Sequence, residues 1–227
     1  MHVRLVSHSR PTEEFGADGI QDAQDLVAFC ARVSNPSNQF NTETSEKLIR
    51  YLIHHQHWSP LEMVSACCEI TTTRDIARQI LRHRSFSFQE FSQRYADPTR
   101  DLEFELRPAR LQDTTDRQNS IELDLRNPEH RELADLWREK QQDVIRAARE
   151  AYTWAVRNGI AKEQARSVLP EGNTQSRLYM NGTLRSWVHW IELRSATGTQ
   201  REHQDIARAC AEVIATVFPM AAEFVGK

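Results

Sequence analysis

The chain has 227 residues, of which 39% are hydrophobic and 27% charged, and its formal net charge is -3. That length can bury a sizeable core, and the charge balance provides no overall field to draw the chain to nucleic acid or to a membrane surface. No apolar run approaches the roughly 20 residues that span a bilayer, and the polar start from Met1 to Val6 does not read as a signal peptide.

Residues 2–7 read as a short strand. From Asp22 to Ser34 the residues Ala23, Leu26, Val27, Cys30 and Ala31 recur at helical spacing, and Asn35-Pro36 stops that helix. Thr44 or Ser45 caps the next helix, whose apolar face is Leu48, Ile49, Leu52 and Ile53. His54, His55 and His57 close it before a Trp58-Ser59-Pro60 turn. Two of them are three apart, but the carboxylate partner of a zinc helix is missing, so no metal site is expected.

Met63 to Thr73 is rich in β-branched and small residues and reads as a strand. Arg74 to Arg82 returns to helix with Ile76, Ala77, Ile80 and Leu81 inward, and the pattern changes again near His83. Over Ser85 to Tyr95 an extended chain would point Glu90, Ser92 and Arg94 the same way. Residues 96–130 hold Pro98, Pro108 and Pro128 among acids and amides. They predict a short strand near Leu102 to Leu106 and then a mobile surface insertion.

Glu129 to Asn158 forms a long amphipathic helix with a stripe of Leu133, Leu136, Trp137, Val144, Ile145, Ala148, Tyr152 and Val156. At about 1.5 Å per residue it spans on the order of 45 Å, a length that often packs against another subunit. A short helix over Ala161 to Leu169, a strand over Gln175 to Met180 and helices over Gly182 to Leu193 and Glu202 to Phe218 complete the chain. Helices outnumber strands without strict β-α alternation, so the expected class is α+β in a single domain spanning residues 1–227.

Arginine supplies 25 of the 29 basic residues, and five fall between Arg74 and Arg94. A composition drift would explain the bias but not the cluster. Arg82, His83 and Arg84 flank a helix-to-loop corner, and guanidinium forks with free backbone N–H groups suit a phosphate or pyrophosphate. Arg185 and His189 share a helix face, while Arg194, nine residues on, points the opposite way, so one helix serves two ligands. Arg166 stands alone before an apolar Val-Leu-Pro turn. Cys30, Cys67, Cys68 and Cys210 show no Cys-x-x-Cys spacing, and no neighbour would activate Cys67 or Cys68 as a nucleophile. Reduced thiols in a cytoplasmic protein are the default expectation. No Gly-rich nucleotide cradle appears. On residues alone a phosphohydrolase or nucleotidyl transferase and a nucleic-acid module stacking phenylalanines on bases both stand. The charge of -3 and the single short basic cluster weaken the last.

The run Arg82-His83-Arg84-x-x-Ser87-x-x-Glu90-x-Ser92-x-Arg94-Tyr95 resembles the signature of the flavin-dependent thymidylate synthases. Ala28 to Ser34, His57-Trp58-Ser59-Pro60, Glu163 to Pro170 and Gly182 to Arg194 resemble that family's other motifs, leaving only about residues 96–130 uncovered. The chain departs from the family pattern at Gln89, Thr183 and His189, where asparagine stands in many relatives.

The resemblance implies a central antiparallel sheet with flanking helices and a cytoplasmic homotetramer with shared active sites. It implies conversion of dUMP to dTMP with methylenetetrahydrofolate as carbon donor and FAD, reduced by NADPH, as hydride donor. By the same resemblance Ser59, Arg82, His83, Arg84, Glu90, Thr183, Arg185 and His189 touch FAD. Gln79, Ile80, Leu81, Arg82, Glu90, Phe91, Ser92, Gln93, Arg94, Arg166 and Arg194 hold dUMP, with Ser92 and Arg94 at the phosphate. Arg194 is the catalytic cation, facing the uracil ring and stabilising its N3-deprotonated form without a covalent thiolate.

Overall fold

The computed structural model describes residues 1–226. The elements in chain order are β1 (His2–His8), α1 (Glu13–Ala17), α2 (Ala23–Ala31), α3 (Ser45–His54), β2 (Ser65–Thr73), α4 (Arg74–Ile80), β3 (Ser87–Glu90), α5 (Pro98–Asp101), β4 (Arg110–Gln112), β5 (Ser120–Glu122), α6 (Pro128–Arg157), α7 (Lys162–Ala165), β6 (Gln175–Thr183), α8 (Leu184–Ser195) and α9 (Arg201–Ala215). Short 3₁₀ turns at Ser59–Glu62, Arg166–Val168 and Pro219–Phe224 join or end them.

The main sheet has the order β1-β2-β6-β3, and each of its neighbouring pairs is antiparallel. The β2–β6 pair is continuous from Ser65↔Thr183 to Thr73↔Gln175. Its inward side chains, Ala66, Cys68, Ile70, Leu178 and Met180, are buried against α8 and α9. Trp187 and Trp190 of α8 are fully buried there, and the Trp187 indole N–H donates to the Ala66 carbonyl at 3.0 Å, satisfying its polar atom inside the core. Burial of each such large side chain contributes roughly 1.5–3 kcal/mol. The mixed helix and sheet content with an antiparallel sheet agrees with the α+β expectation.

Several boundaries differ from the sequence reading. Gly182 is not the start of a helix but part of β6, and α8 begins at Leu184 with Thr183 as its N-cap. The glycine is needed there for space, because a Cβ would lie 2.4 Å from the Phe86 ring. The strand expected at Leu102 to Leu106 reduces to one bridge, Phe104↔Thr174. The insertion carries instead a small β4–β5 hairpin that the sequence did not signal.

The long helix lies where its period placed it, but only part of its stripe is covered. Ala148 and Tyr152 are buried, whereas Leu133, Leu136, Trp137 and Val144 are 44–49% exposed. Gln141, in the same span, is buried because its amide is used: it accepts from Arg107 N at 2.8 Å and donates to Arg107 O at 2.9 Å.

Candidate active site

The two central strands each run directly into a helix, β2 into α4 and β6 into α8. Because the strands are antiparallel, the helices start at opposite ends of the sheet, and their C-terminal turns meet. Arg194 in the last turn of α8 donates from Nε to His83 Nε2 at 2.8 Å, just beyond α4. Helix C-termini carry partial negative charge and tolerate cations, which is one reason arginines can gather here. Burial, and then the nearby Arg82 charge, lower the Arg194 pKa from its ordinary value. Burial, reinforced by Arg194, pushes the His83 imidazole down to about 4.

Gln79 of α4 faces the same corner. Its amide donates to Gln200 Oε1 at 2.8 Å, and its Oε1 lies 3.2 Å from His203 Nδ1. His203 is fully buried on α9 beside Trp190, with ring centroids 5.7 Å apart, and its Nε2 has no hydrogen-bond partner. The sequence reading missed His203. A signal existed: it precedes Ile206, Ala207, Cys210 and Ile214 on the apolar face of α9, where a histidine needs a reason.

A second group lies where β3 meets β6. Glu90 accepts from Ser176 Oγ at 2.7 Å and lies 3.5 Å from Arg74 Nη1, a buried atom that makes no hydrogen bond. Arg166 is close enough to Arg74 for its charge to lower that pKa, though burial is the main cause. Beyond Glu90 the extended chain ends, contrary to expectation, and Tyr95 and Ala96 donate back to the Ser92 carbonyl at 3.1 and 3.0 Å. Glu90, Ser92 and Arg94 therefore do not share one strand face. Arg94 lies 3.3 Å from Glu163 instead. Phe91 N is tied to the Arg177 carbonyl at 2.8 Å, while the Ile80 and Gln93 side chains are buried, so neither side chain is open to a ligand.

A third group surrounds the start of α8. Thr183 caps the helix through Ser186 N, Arg185 pairs with Glu62, and the His189 ring sits 4.3 Å from Trp58. Exposed Ser59 opens the turn that carries Glu62. The two faces of α8 thus meet different partners, as the nine-residue offset between Arg185 and Arg194 required. Ser186 Oγ also donates to the Ser85 carbonyl at 3.1 Å, tying this end to the loop that bears Arg84.

The distribution of counter-charges is the main electrostatic fact. Among the described residues no carboxylate oxygen lies within 4.0 Å of Arg82, Arg84, Arg166 or Arg194, although most other arginines are paired. Local ion pairs at a surface helix end do not account for them. A guanidinium without a carboxylate partner is free to pair with an oxyanion, so each of the four is a candidate anion ligand. Burial raises the pKa of Cys30, Cys67 and Cys210, which favours the protonated thiol over the nucleophilic thiolate at these three positions.

The clefts of about 520 and 560 Å³ between the hairpin and α6 are lined by residues such as Arg107, Arg110, Trp137 and Gln200, and include none of the predicted ligand-binding side chains.

Comparison with known proteins gives the arrangement its class. Residues 17–220 match the family model described as thymidylate synthase complementing protein. The chain is 44% identical over 226 residues to a probable flavin-dependent thymidylate synthase of Paramecium bursaria Chlorella virus 1, with 98% of each chain covered. It is 45% identical over 224 residues, again 98% of each, to the flavin-dependent thymidylate synthase of Synechocystis sp.. Among solved structures it is similar to a UMP/dUMP methylase, PolB from Streptomyces cacaoi, crystallised with 5-Br UMP. That match has a TM-score of 0.73 and 26% identity, and covers 98% of this chain and 92% of the other. The chain belongs to the thymidylate synthase complementing protein family, the flavin-dependent thymidylate synthases.

Proposed function

We propose that this protein methylates dUMP to dTMP, with methylenetetrahydrofolate giving the carbon and FAD, reduced by NADPH, giving the hydride. The observation that carries the reading is the set of unpaired guanidiniums, Arg82, Arg84, Arg166 and Arg194, in a family whose chemistry uses a nucleotide and a flavin, both anionic.

The residues present fit a flavin dinucleotide. Arg82 and Arg84 are exposed and without carboxylate partners, as a pyrophosphate requires. His189, exposed against Trp58, and Thr183 at the α8 N-terminus supply polar contacts, with Ser59, His83, Glu90 and Arg185 around them. When bound, the flavin supplies hydride chemistry.

The chain's own residues do the rest. Arg166 and Arg94, with Ser92, hold the phosphate of dUMP; Arg94 exchanges its exposed pairing with Glu163, which costs little in water. Gln79, Arg82 and Glu90, with the backbone at Ile80, Leu81, Phe91 and Gln93, orient the sugar and base. Arg194 is held by His83 and stabilises negative charge on the uracil ring, making its C5 electron-rich. No thiolate is required.

A tetramer with shared sites completes the picture. Its support is the uncovered apolar stripe of α6 and the 84% exposure of Tyr95, the last residue of the arginine motif. The working compartment is the cytoplasm; among the described residues no helix is long and apolar enough to cross a membrane. The test is direct: protein supplied with FAD, NADPH, methylenetetrahydrofolate and dUMP should yield dTMP on chromatography, and absence of dTMP would contradict the reading.

A further inference from the structure

Three polar side chains and one carboxylate form a line from the surface to the buried corner. Glu202 lies 3.5 Å from Arg107 Nη1 and also pairs with Arg110 of β4. Burial alone would raise its pKa, but its own backbone N–H and the two arginines outweigh that and keep the carboxyl below its ordinary value. Gln200 Nε2 donates to Glu202 Oε2 at 3.0 Å, Gln79 Nε2 donates to Gln200 Oε1 at 2.8 Å, and Gln79 Oε1 faces His203 Nδ1 at 3.2 Å.

The charge at one end fixes the direction of every member. An ionised carboxylate only accepts, so the Gln200 amide must turn its NH₂ toward Glu202. Its carbonyl then faces Gln79, which must answer with its own NH₂. The Gln79 carbonyl is left facing His203, so Nδ1 must carry the proton. His203 Nε2 becomes a bare acceptor, in agreement with its lack of any partner. Burial, helped by the charges of Arg194, His83 and Arg82, lowers the imidazole pKa to about 3, so the ring is neutral and one tautomer suffices.

We propose that Gln200 and His203 are positioning residues for nucleotide binding: they clamp the Gln79 amide from both sides in a single orientation set by Glu202. Gln79 keeps one N–H and one carbonyl lone pair free, and the relay decides which way each points. This rests on the reading of Gln79 as a side chain that holds dUMP. The relay predicts a loss in dUMP affinity without a loss in the chemical step, because neither residue touches the reacting atoms.

The experiment compares His203→Asn, His203→Gln, His203→Leu and Gln200→Met, each as flavin-loaded protein. Asparagine places an N–H donor where Nδ1 stands, whereas glutamine places its donor where Nε2 stands. His203→Asn should keep the KM for dUMP within about threefold, and His203→Gln, His203→Leu and Gln200→Met should raise it about tenfold, with kcat within about twofold. Gln200 is only half-buried, so its variant tests the clamp even if the buried histidine variants fail to fold. Unchanged KM in Gln200→Met, or a fall in kcat with KM unmoved, would overturn the relay while leaving the functional reading intact. Wild-type protein that binds no dUMP would overturn both.

Discussion

Arg194 and His83 are joined by one hydrogen bond of 2.8 Å, and its direction fixes the state of both residues. A guanidinium can only donate, so His83 Nε2 must be the acceptor and the imidazole must be neutral with its proton on Nδ1. Arg194, the cation proposed to act on the uracil ring, is thus oriented by a ring that would repel it when protonated.

Stability should depend on pH through His83 and the similarly buried His203. The unfolded chain protonates each near 6.5, but the folded chain waits until about 4 and about 3. Between those limits the unfolded state binds more protons, so stability falls as pH drops from about 6.5 toward 4 and is level above 6.5. Urea unfolding at pH 7, 5.5 and 4 should show a loss of at least ~2 kcal/mol over the range, and a flatter slope in His203→Leu. A midpoint that does not move with pH would remove this account.

Arg194→Ala should keep bound FAD while dTMP turnover drops roughly 100-fold or more, as for loss of a preorganised charge. Arg194→Lys should recover little, since a point charge lacks the planar fork that reaches both His83 and a ligand. Single-turnover product formation at the wild-type rate in either variant would exclude Arg194 from the chemistry.

Cys67→Ala and Cys68→Ala should both remain active. Cys68 is fully buried and its loss should cost about 1 kcal/mol of stability by leaving a small void. A folded, flavin-loaded cysteine variant that makes no dTMP would revive a covalent thiol route.

Trp137→Glu on α6 places a charge in a stripe that the chain itself leaves bare. Light scattering should find the wild type tetrameric and the variant dissociated, with activity lost in proportion. A fully active monomer would refute shared sites.

Most of the architecture was legible because it rests on period. The stripe of α6 and the β-branched run ending at Thr73 gave their elements to within two residues, and α2 lies inside the Asp22 to Ser34 span with Asp22 as its N-cap. The Gly182 boundary was misread because glycine was taken as a helix start; only the Phe86 ring against it shows why β6 runs on. The site is legible only where a motif is contiguous. The arginine run named Arg82, Arg84 and Arg94, but it could not show that Arg94 turns away from Glu90, because a short turn overrides the two-residue alternation. Gln200 and Glu202 join the corner through tertiary contacts with no spacing signature, and His203 was marked only by its place on the apolar face of α9.

The most direct test of guanidinium-held flavin and nucleotide is the visible absorption spectrum of the protein as purified, before and after anaerobic addition of NADPH. An oxidised-flavin band that bleaches and returns in air is the expected result. A colourless protein that takes up no added FAD would contradict the account.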